Sequence, residues 1–528
     1  MINAIRNLGR QASDDTFESL AEKYGDKYRA LAIAAVGSGT FVALLMSTII
    51  NVAIPDIMGA FGVDQSDAQW LSTGFLASST ISMLVSSWVI NRFGVQNAFF
   101  FPSLAFIAGS MVATVSPNNE VLILARVIQG LAYGFYMPIA MYVMTRIFPP
   151  EKQGIGMAIF GVMAVLGPAI GPYLGGLAVD ALGWRSVFYL PLPLALLSLP
   201  MTLWYLPGHV DPDNQSRLDI KSVLWLSIAT TLILVGLSNG QRYGWNSDFV
   251  IFCLGAGGFA AFAFISQQLV SKDPLLNLRL FANRDFAYAS IVSVLFGVGM
   301  FGGMYAVPLF LQTIQGITPT EAGLAMLPAG IVLTITFPIA GLLSDKLPTN
   351  WMVVLGMLLM AYGTAVMVMA DRFTPFWTIC WWLIISRIGM SAIMPSMSKA
   401  ALISLPTVLL TQASGTINFV RQLGGAVGVN LTSVTLDRST SAHMEYINNS
   451  QNEENVQTQT MIAQLIPELH QSGVDMASQQ PLAAWIMQKE LYRQAMSLGF
   501  QDTFLFMGIV VGIGVIPAYF LGRTRKQD

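Results

Sequence analysis

The sequence predicts an all-α polytopic membrane protein, and two observations carry that prediction. Of 528 residues, 54% are hydrophobic and only 11% are charged, whereas a soluble domain is roughly 25% charged. The 56 charges are also segregated, with ten in the first thirty residues and eleven between Asp437 and Asp502. The remaining body is about 8% charged and consists of long uncharged runs.

A helix needs about 20 predominantly apolar residues to cross the hydrocarbon core. Runs of that kind fall near 30–53, 70–90, 97–116, 121–145, 155–179, 187–206, 221–239 and 249–270 (spans 1–8). Spans 9–14 follow near 286–311, 322–343, 351–370, 375–397, 408–434 and 503–522. Loop charges test the count, because short cytoplasmic loops accumulate Lys and Arg. With the N-terminus inside, the short inside loops and the C-terminal tail hold Arg92, Arg146, Lys152, Arg217, Lys221, Lys272, Arg279, Arg284, Lys346, Lys399, Arg523, Arg525 and Lys526. The short outside loops hold only Arg185, Arg242 and Arg372. That asymmetry fits an even number of spans and predicts that both termini are cytoplasmic.

Two segments lie outside the predicted bundle. Phe17, Leu20, Ala21, Tyr24, Tyr28 and Leu31 recur at helical spacing between charges, the pattern of a helix lying in the interface. The outside loop before span 14 holds a polar stretch and then two amphipathic candidates, Met461, Ile462, Leu465, Ile466, Leu469 and Leu482, Trp485, Ile486. No cleavable signal is expected, since the segment up to Arg29 is charged and polar. Cys253 and Cys380 sit in apolar runs and read as small core residues rather than a disulfide. A net charge of −2 gives no reason to expect a nucleic-acid partner.

The informative residues are those that a lipid-facing helix avoids. An intramembrane arginine faces a cavity or a partner, because a charge at mid-bilayer costs at least a few kcal/mol. Three spans carry one: Arg126, Arg387 and Arg421. In span 4, Gln129 lies one turn from Arg126 on the same face. The alternative for Arg126 is a structural arginine bonded to backbone carbonyls of neighbouring helices. Span 5 reads GPAIGPYLGG, and Gly167, Pro168, Gly171, Pro172, Gly175 and Gly176 form a small-residue stripe that lets a neighbouring helix approach. The turn Asn91, Arg92, Gly94 after span 2 recurs in related form after span 10 as Gly341, Asp345, Lys346. Such an internal repeat is typical of transporters.

LARVIQG around Arg126 resembles the fourth-helix motif of the major facilitator superfamily, and GPAIGPYLGG resembles the fifth-helix motif of its exporters. With fourteen spans the chain is similar to the drug:proton antiporters of the EmrB/QacA type. TIINVAIP, WRSVFYLPLP, DPLLNLRLFANRDF, AGLAMLP and SGTINFVRQLGGAVG extend the match over nearly the whole chain. The resemblance implies the major facilitator fold, with two six-helix bundles and two inserted helices. It divides the chain into a cytoplasmic segment (1–29), a first bundle (30–206), a linker with spans 7–8 (207–270), a second bundle (271–522, with its loop at about 437–502) and a tail (523–528). It further implies efflux of small molecules or drugs across a bacterial inner membrane by alternating access, driven by the proton gradient and without a cofactor. Arg126, Gln129, Tyr133, Tyr136, Asn418, Arg421 and Arg387 would line or serve the central cavity, and the two repeated turns would gate it. Some relatives work with a periplasmic adaptor and an outer-membrane channel, for which the long outside loop offers a docking surface.

The chain departs from this family in three places. Where many members carry an aspartate in the first helix as proton carrier, this chain has Met46. None of its 29 acidic residues lies mid-span, and Asp180, Glu321 and Asp502 come nearest, at the outer face. A cavity with arginines and no acid suits anionic or zwitterionic compounds better than lipophilic cations. Asn91 replaces the usual aspartate of the first turn, with Val95 and Gln96 in place of its basic residues, and Pro191 stands where asparagine is common. Two other classes find less support in the residues. A membrane enzyme lacks support, since there is no GxxxxGK[ST] loop, no GxSxG elbow and no metal cluster, and the three histidines lie in loops. A sensor or scaffold that has lost transport draws its support from Met46.

Overall fold

A computed structural model describes residues 15–149, 153–209, 218–271, 274–403, 405–406, 409–450, 456–473 and 475–522. Among them the chain is almost wholly helical, with no strand. Twelve helical stretches are long and apolar enough to cross a membrane. Span 1 is Tyr28–Ile49, span 4 Asn119–Ile147, span 5 Gln153–Leu182 and span 6 Leu192–Tyr205. Spans 7 and 8 are Ile220–Tyr243 and Asp248–Val270. Spans 9 to 12 are Arg284–Thr313, Pro319–Lys346, Thr349–Ala365 and Phe376–Ile403.

Spans 2 and 3 form one helical stretch, Trp70–Thr114, broken at Gly94, whose φ of 77° is left-handed and suits a residue without Cβ. The chain doubles back there. Gly74 faces Val127 and Gly109 faces Gln129, so both arms lie against the same level of span 4. Span 13 (Leu410–Ser450) is too polar overall to be among the twelve stretches, yet it runs beside spans 9 and 2. With it and the doubled helix, the described residues hold the fourteen spans expected.

Helices prevail because lipid offers the backbone no partners, so each N–H and C=O is satisfied within its own segment. The hydroxyls follow the same rule: Ser79, Thr80 and Ser86 each donate to a carbonyl three residues earlier. Polar caps sit at the ends. Asn118 accepts from Val121 N, and Thr318 and Glu321 form a reciprocal capping box at the start of span 10. Pro191, at the N-cap of span 6, divides the short helix Ser186–Tyr189 from Leu192–Tyr205. Its fixed φ is compatible with a helix start.

Spans 1–6 pack on one another, as do spans 9–14. The two sets meet where span 5 runs along span 10 and span 2 along span 13. Spans 7 and 8 pair with each other, and span 7 lies against spans 2 and 13, with Asn430 donating to Leu234 O at 3.2 Å. Span 8 turns Phe252, Phe259 and Phe262 outward.

The structure corrects the two outlying segments. The N-terminal periodicity spans two helices: Phe17–Tyr24 ends at Gly25, and Tyr28 already belongs to span 1. The apolar side of that first helix meets protein. Leu20 is buried, Phe17 lies 6.4 Å from Tyr142 and Tyr24 lies 5.2 Å from Tyr205. The predicted outside loop, in turn, is largely helix. Span 13 continues to Ser450, a helix follows at Val456–Gln471, and span 14 begins early in the helix Met476–Ile513. Polarity ends a membrane span but not a helix, and no Gly or Pro occurs between Gly428 and Pro467. His443 and Asp502, 2.8 Å apart, join the two extended helices. The face carrying this extension is the loop face, and the opposite one, with Phe17–Tyr24, is the terminal face.

Candidate functional site

Between the two sets of helices lies a cavity lined by spans 1, 2, 4, 5, 9, 12 and 13. Ser47, Thr48, Tyr133, Asn418, Arg421 and Gln422 supply its polar wall. Met83, Met137, Met300, Phe301 and Met394 supply an apolar one. Arg421 is the only charged residue among those lining it. Its guanidinium donates to Asn418 Oδ1 at 2.6 Å, a partner one turn away on the same helix. A second space, lined by Met141, Tyr142, Thr145, Phe160 and Ser414, adjoins the first through shared Met83, Met137 and Asn418. It leads toward the terminal face, where span 4 ends.

The seven residues expected around one cavity separate into three groups. Tyr133, Asn418 and Arg421 line it. Arg387 lines another cavity, inside spans 9–14. Arg126, Gln129 and Tyr136 are buried within spans 1–4. Arg126 donates to Leu71 O at 2.9 Å and Met46 O at 3.4 Å, which are backbone carbonyls of spans 2 and 1, and to Gln129 Oε1 at 2.9 Å. Gln129 in turn donates to Ser110 Oγ of span 3 at 2.7 Å. Arg126 and Gln129 together thus join four spans. The guanidinium also lies 4.1 Å over Phe75, whose ring is 4.9 Å from that of Tyr133, so the brace reaches the cavity wall through two aromatic rings. Tyr136 donates to Ser103 at 3.2 Å between Phe99 and Phe106. At Met46, the site of the missing acid, it is the backbone oxygen that meets Arg126.

The loop face is closed. Asn51 of the short turn after span 1 donates to Met304 O at 3.1 Å, and Gln312 donates to Val52 O at 2.9 Å. Asp180 accepts from Thr320 N at 2.8 Å, tying the end of span 5 to the start of span 10. Ile49, Ile54, Ile57, Tyr305 and Phe310 pack as one apolar cluster across this seam. The glycine stripe of span 5 makes both contacts of its helix. Gly167, Gly171 and Gly175 face Leu44, Thr48 and Ile49 of span 1, while Gly176 lies against the backbone of Pro319 and Thr320. A Cβ on Gly176 would collide with main chain. Pro168, between them, lines the cavity.

The two repeated turns are anchored at home. Gln96, close behind Asn91, Arg92 and Gly94, donates to Leu203 O at 2.9 Å and Leu206 O at 3.2 Å of span 6. In the second half, the helix continues through Gly341 to Lys346, and Lys399 of span 12 donates to Ser344 O at 2.8 Å. The side chain of Asp345 lies outside the described residues, as do Lys152, Arg217, Lys272, Arg523, Arg525 and Lys526. The three acids nearest the interior serve helix ends: Asp180 and Glu321 at span 10, and Asp502 beside His443. Sequence reasoning missed Ser47, Thr48 and the cavity methionines. The density of Met in the chain is their one visible trace, and it does not select which of 28 face inward.

Two packed sets of six spans with a further pair beside them, closed at one face around a cavity that both sets line, define a multi-pass membrane transporter rather than an enzyme. The family model of the Major Facilitator Superfamily matches residues 36–429, and the chain belongs to that superfamily. It is 29% identical over 494 residues to an MFS-type transporter described as uncharacterized, YhcA of Bacillus subtilis, covering 93% of this chain and 92% of that one. It is 30% identical over 459 residues to the multidrug export protein EmrB of Escherichia coli, covering 86% of this chain and 88% of that one. Its fold is similar to that of a bacterial homologue of the human lysosomal transporter Spinster, solved inward-facing and occupied. The TM-score there is 0.60 at 15% identity, over 95% of this chain and 98% of that one.

Proposed function

We propose that the protein exports small organic molecules across a bacterial cytoplasmic membrane, favouring anionic and zwitterionic amphipaths. Both termini and the terminal face would be cytoplasmic. Arg421 carries this reading: it is a single cation beside Asn418 and Tyr133, in a cavity with no carboxylate among its lining residues. Methionine walls suit varied apolar bodies, because the unbranched thioether adapts its shape. Residues 30–206 and 271–522 would act as two bundles rocking about this cavity, exposing it to each face in turn, with the proton gradient as energy source.

The test is flux in proteoliposomes with an imposed pH gradient. Gradient-driven movement of an anionic dye, lost in Arg421→Gln, supports the proposal. Strong export of a cationic dye with no response to anionic ones overturns the substrate class. Binding without flux identifies a sensor instead.

A further inference from the structure

The two halves repeat a short sequence around a buried arginine and then treat it differently. Leu122–Arg126 reads LILAR in span 4, and Leu383–Arg387 reads LIISR in span 12, each the fourth span of its half. The surroundings correspond too. Gly109 of span 3 faces Ala125 O and is followed by Ser110, and Gly363 of span 11 faces the backbone of Ser386 and is followed by Thr364. Met46 stands seven residues before the Ala of AIP in span 1, and Gly299 stands seven before the Ala of AVP in span 9.

In the first half the arginine is enclosed. Arg126 has Gln129 one turn on, two backbone carbonyls and the face of Phe75, and the Met46 side chain is fully buried beside it. In the second half Gly299 takes the place of Met46 and Met390 that of Gln129. Arg387, 9% exposed, donates to Met390 Sδ at 2.8 Å, a weak acceptor and the single partner found for it among the described residues. Beside Arg387 lies a cavity lined by Gly299, Thr364, Ser386, Arg387 and Met390. Met300 walls both this chamber and the central cavity.

We propose that the Arg387 chamber is an anion site, taking one small monovalent anion or carboxylate group. The guanidinium is a buried cation in apolar surroundings and requires the counter-charge that an anion supplies, and the hydroxyls of Thr364 and Ser386, which line the chamber, offer further donors. Gly299 and Gly363 line the chamber and present no side chain to it. Two sources carry this chemistry: a dissolved halide, or the carboxylate end of an apolar cargo that passes Met300. The site does not depend on the transport reading, since a non-transporting protein would hold the same anion.

The experiment is thermal unfolding of the purified full-length protein in detergent, in a buffer whose only anion is the bulky sulfonate HEPES. Bromide, acetate and hexanoate are titrated separately. The expected result is a saturable rise in the unfolding midpoint. Arg387→Gln should weaken the response about tenfold or more, as loss of charge-assisted hydrogen bonds implies. Met390→Gln is the second variant. It rebuilds the acceptor that Gln129 provides in the first half, so it should keep or raise the anion-free midpoint while losing the response. A response to bromide identifies a dissolved co-ion, and a response to hexanoate without bromide identifies the cargo's carboxylate. No response in the unmodified protein overturns the site. So does a response that survives both variants, or one that Arg421→Gln removes while Arg387→Gln keeps it.

Discussion

Three arginines of the same chemical type have three different surroundings, and their variants should fail in different ways. Arg126 ties spans 1 and 2 to span 4 and orients Gln129 toward span 3 through fixed donor directions, which the point-like ammonium of lysine does not reproduce. Arg126→Lys should therefore lower the unfolding midpoint and the yield of folded protein together, read by fluorescence-detected size exclusion. Arg421 donates to Asn418 on its own helix and faces the cavity. Arg421→Gln should leave the midpoint nearly unchanged while reducing kcat/KM for an anionic dye about tenfold or more, the loss expected from one charge-assisted hydrogen bond. Met46 gives a converse test. Nη2 of Arg126 is buried without a hydrogen-bond partner among the described residues, so an aspartate at position 46 has a cation waiting for it. Met46→Asp should fold, and cation efflux that now depends on the pH gradient should appear in vesicles. The sequence showed that these arginines were interior. Which of them faced open space depended on Leu71, Phe75 and Met390, and only packing decides those neighbours.

Span 5 shows how a helix can be recognised from sequence while its contacts stay hidden. Its glycines four apart announced a smooth face, and the structure gives that face two recipients, span 1 and span 10. The difference predicts unequal effects. At Gly171 an added Cβ meets the Thr48 side chain, which can rotate, whereas at Gly176 it meets the Pro319 carbonyl and the Thr320 backbone, which cannot. Gly176→Ala should therefore open the loop face and Gly171→Ala should do so much less. Reaction of a Tyr173→Cys variant with a membrane-impermeant maleimide, added from the loop face, measures this. Equal labelling in both backgrounds would contradict the assignment of Gly176 to the seam. Spans 13 and 14 teach the opposite lesson: hydropathy located their membrane portions, and the amphipathic stretches at 461–469 and 482–486 do lie in helices, but the polar continuation of span 13 to Ser450 went unread. Polar residues leave a bilayer without leaving a helix, so the segment read as a loop is two long helices and a short one.

At the scale of the whole molecule, the closed loop face and the space leading to the terminal face describe a single arrangement, and the helical extension stands on the closed side. There we propose docking of a periplasmic adaptor. Removing 451–474 spares Arg493, which donates to Ile314 O at 2.9 Å, and the Arg372–Glu490 pair at 3.1 Å, both of which tie the extension to the bundle. That deletion should abolish extrusion across the outer membrane and preserve flux in proteoliposomes, and equal loss of both in a folded protein would refute docking. The sequence by itself determined the membrane class, the number of spans and the superfamily. Each is set by local composition, since about 20 apolar residues in a row must cross a bilayer wherever they sit, and the motif residues are contiguous. Tertiary structure decided which buried groups share a space. Tyr133 and Arg421 lie 288 positions apart in the chain and line one cavity, while Arg126 and Arg387, alike in sequence, occupy a filled site and an open one. Hydropathy records how much a residue avoids water, and it carries no information about which helix completes its surroundings.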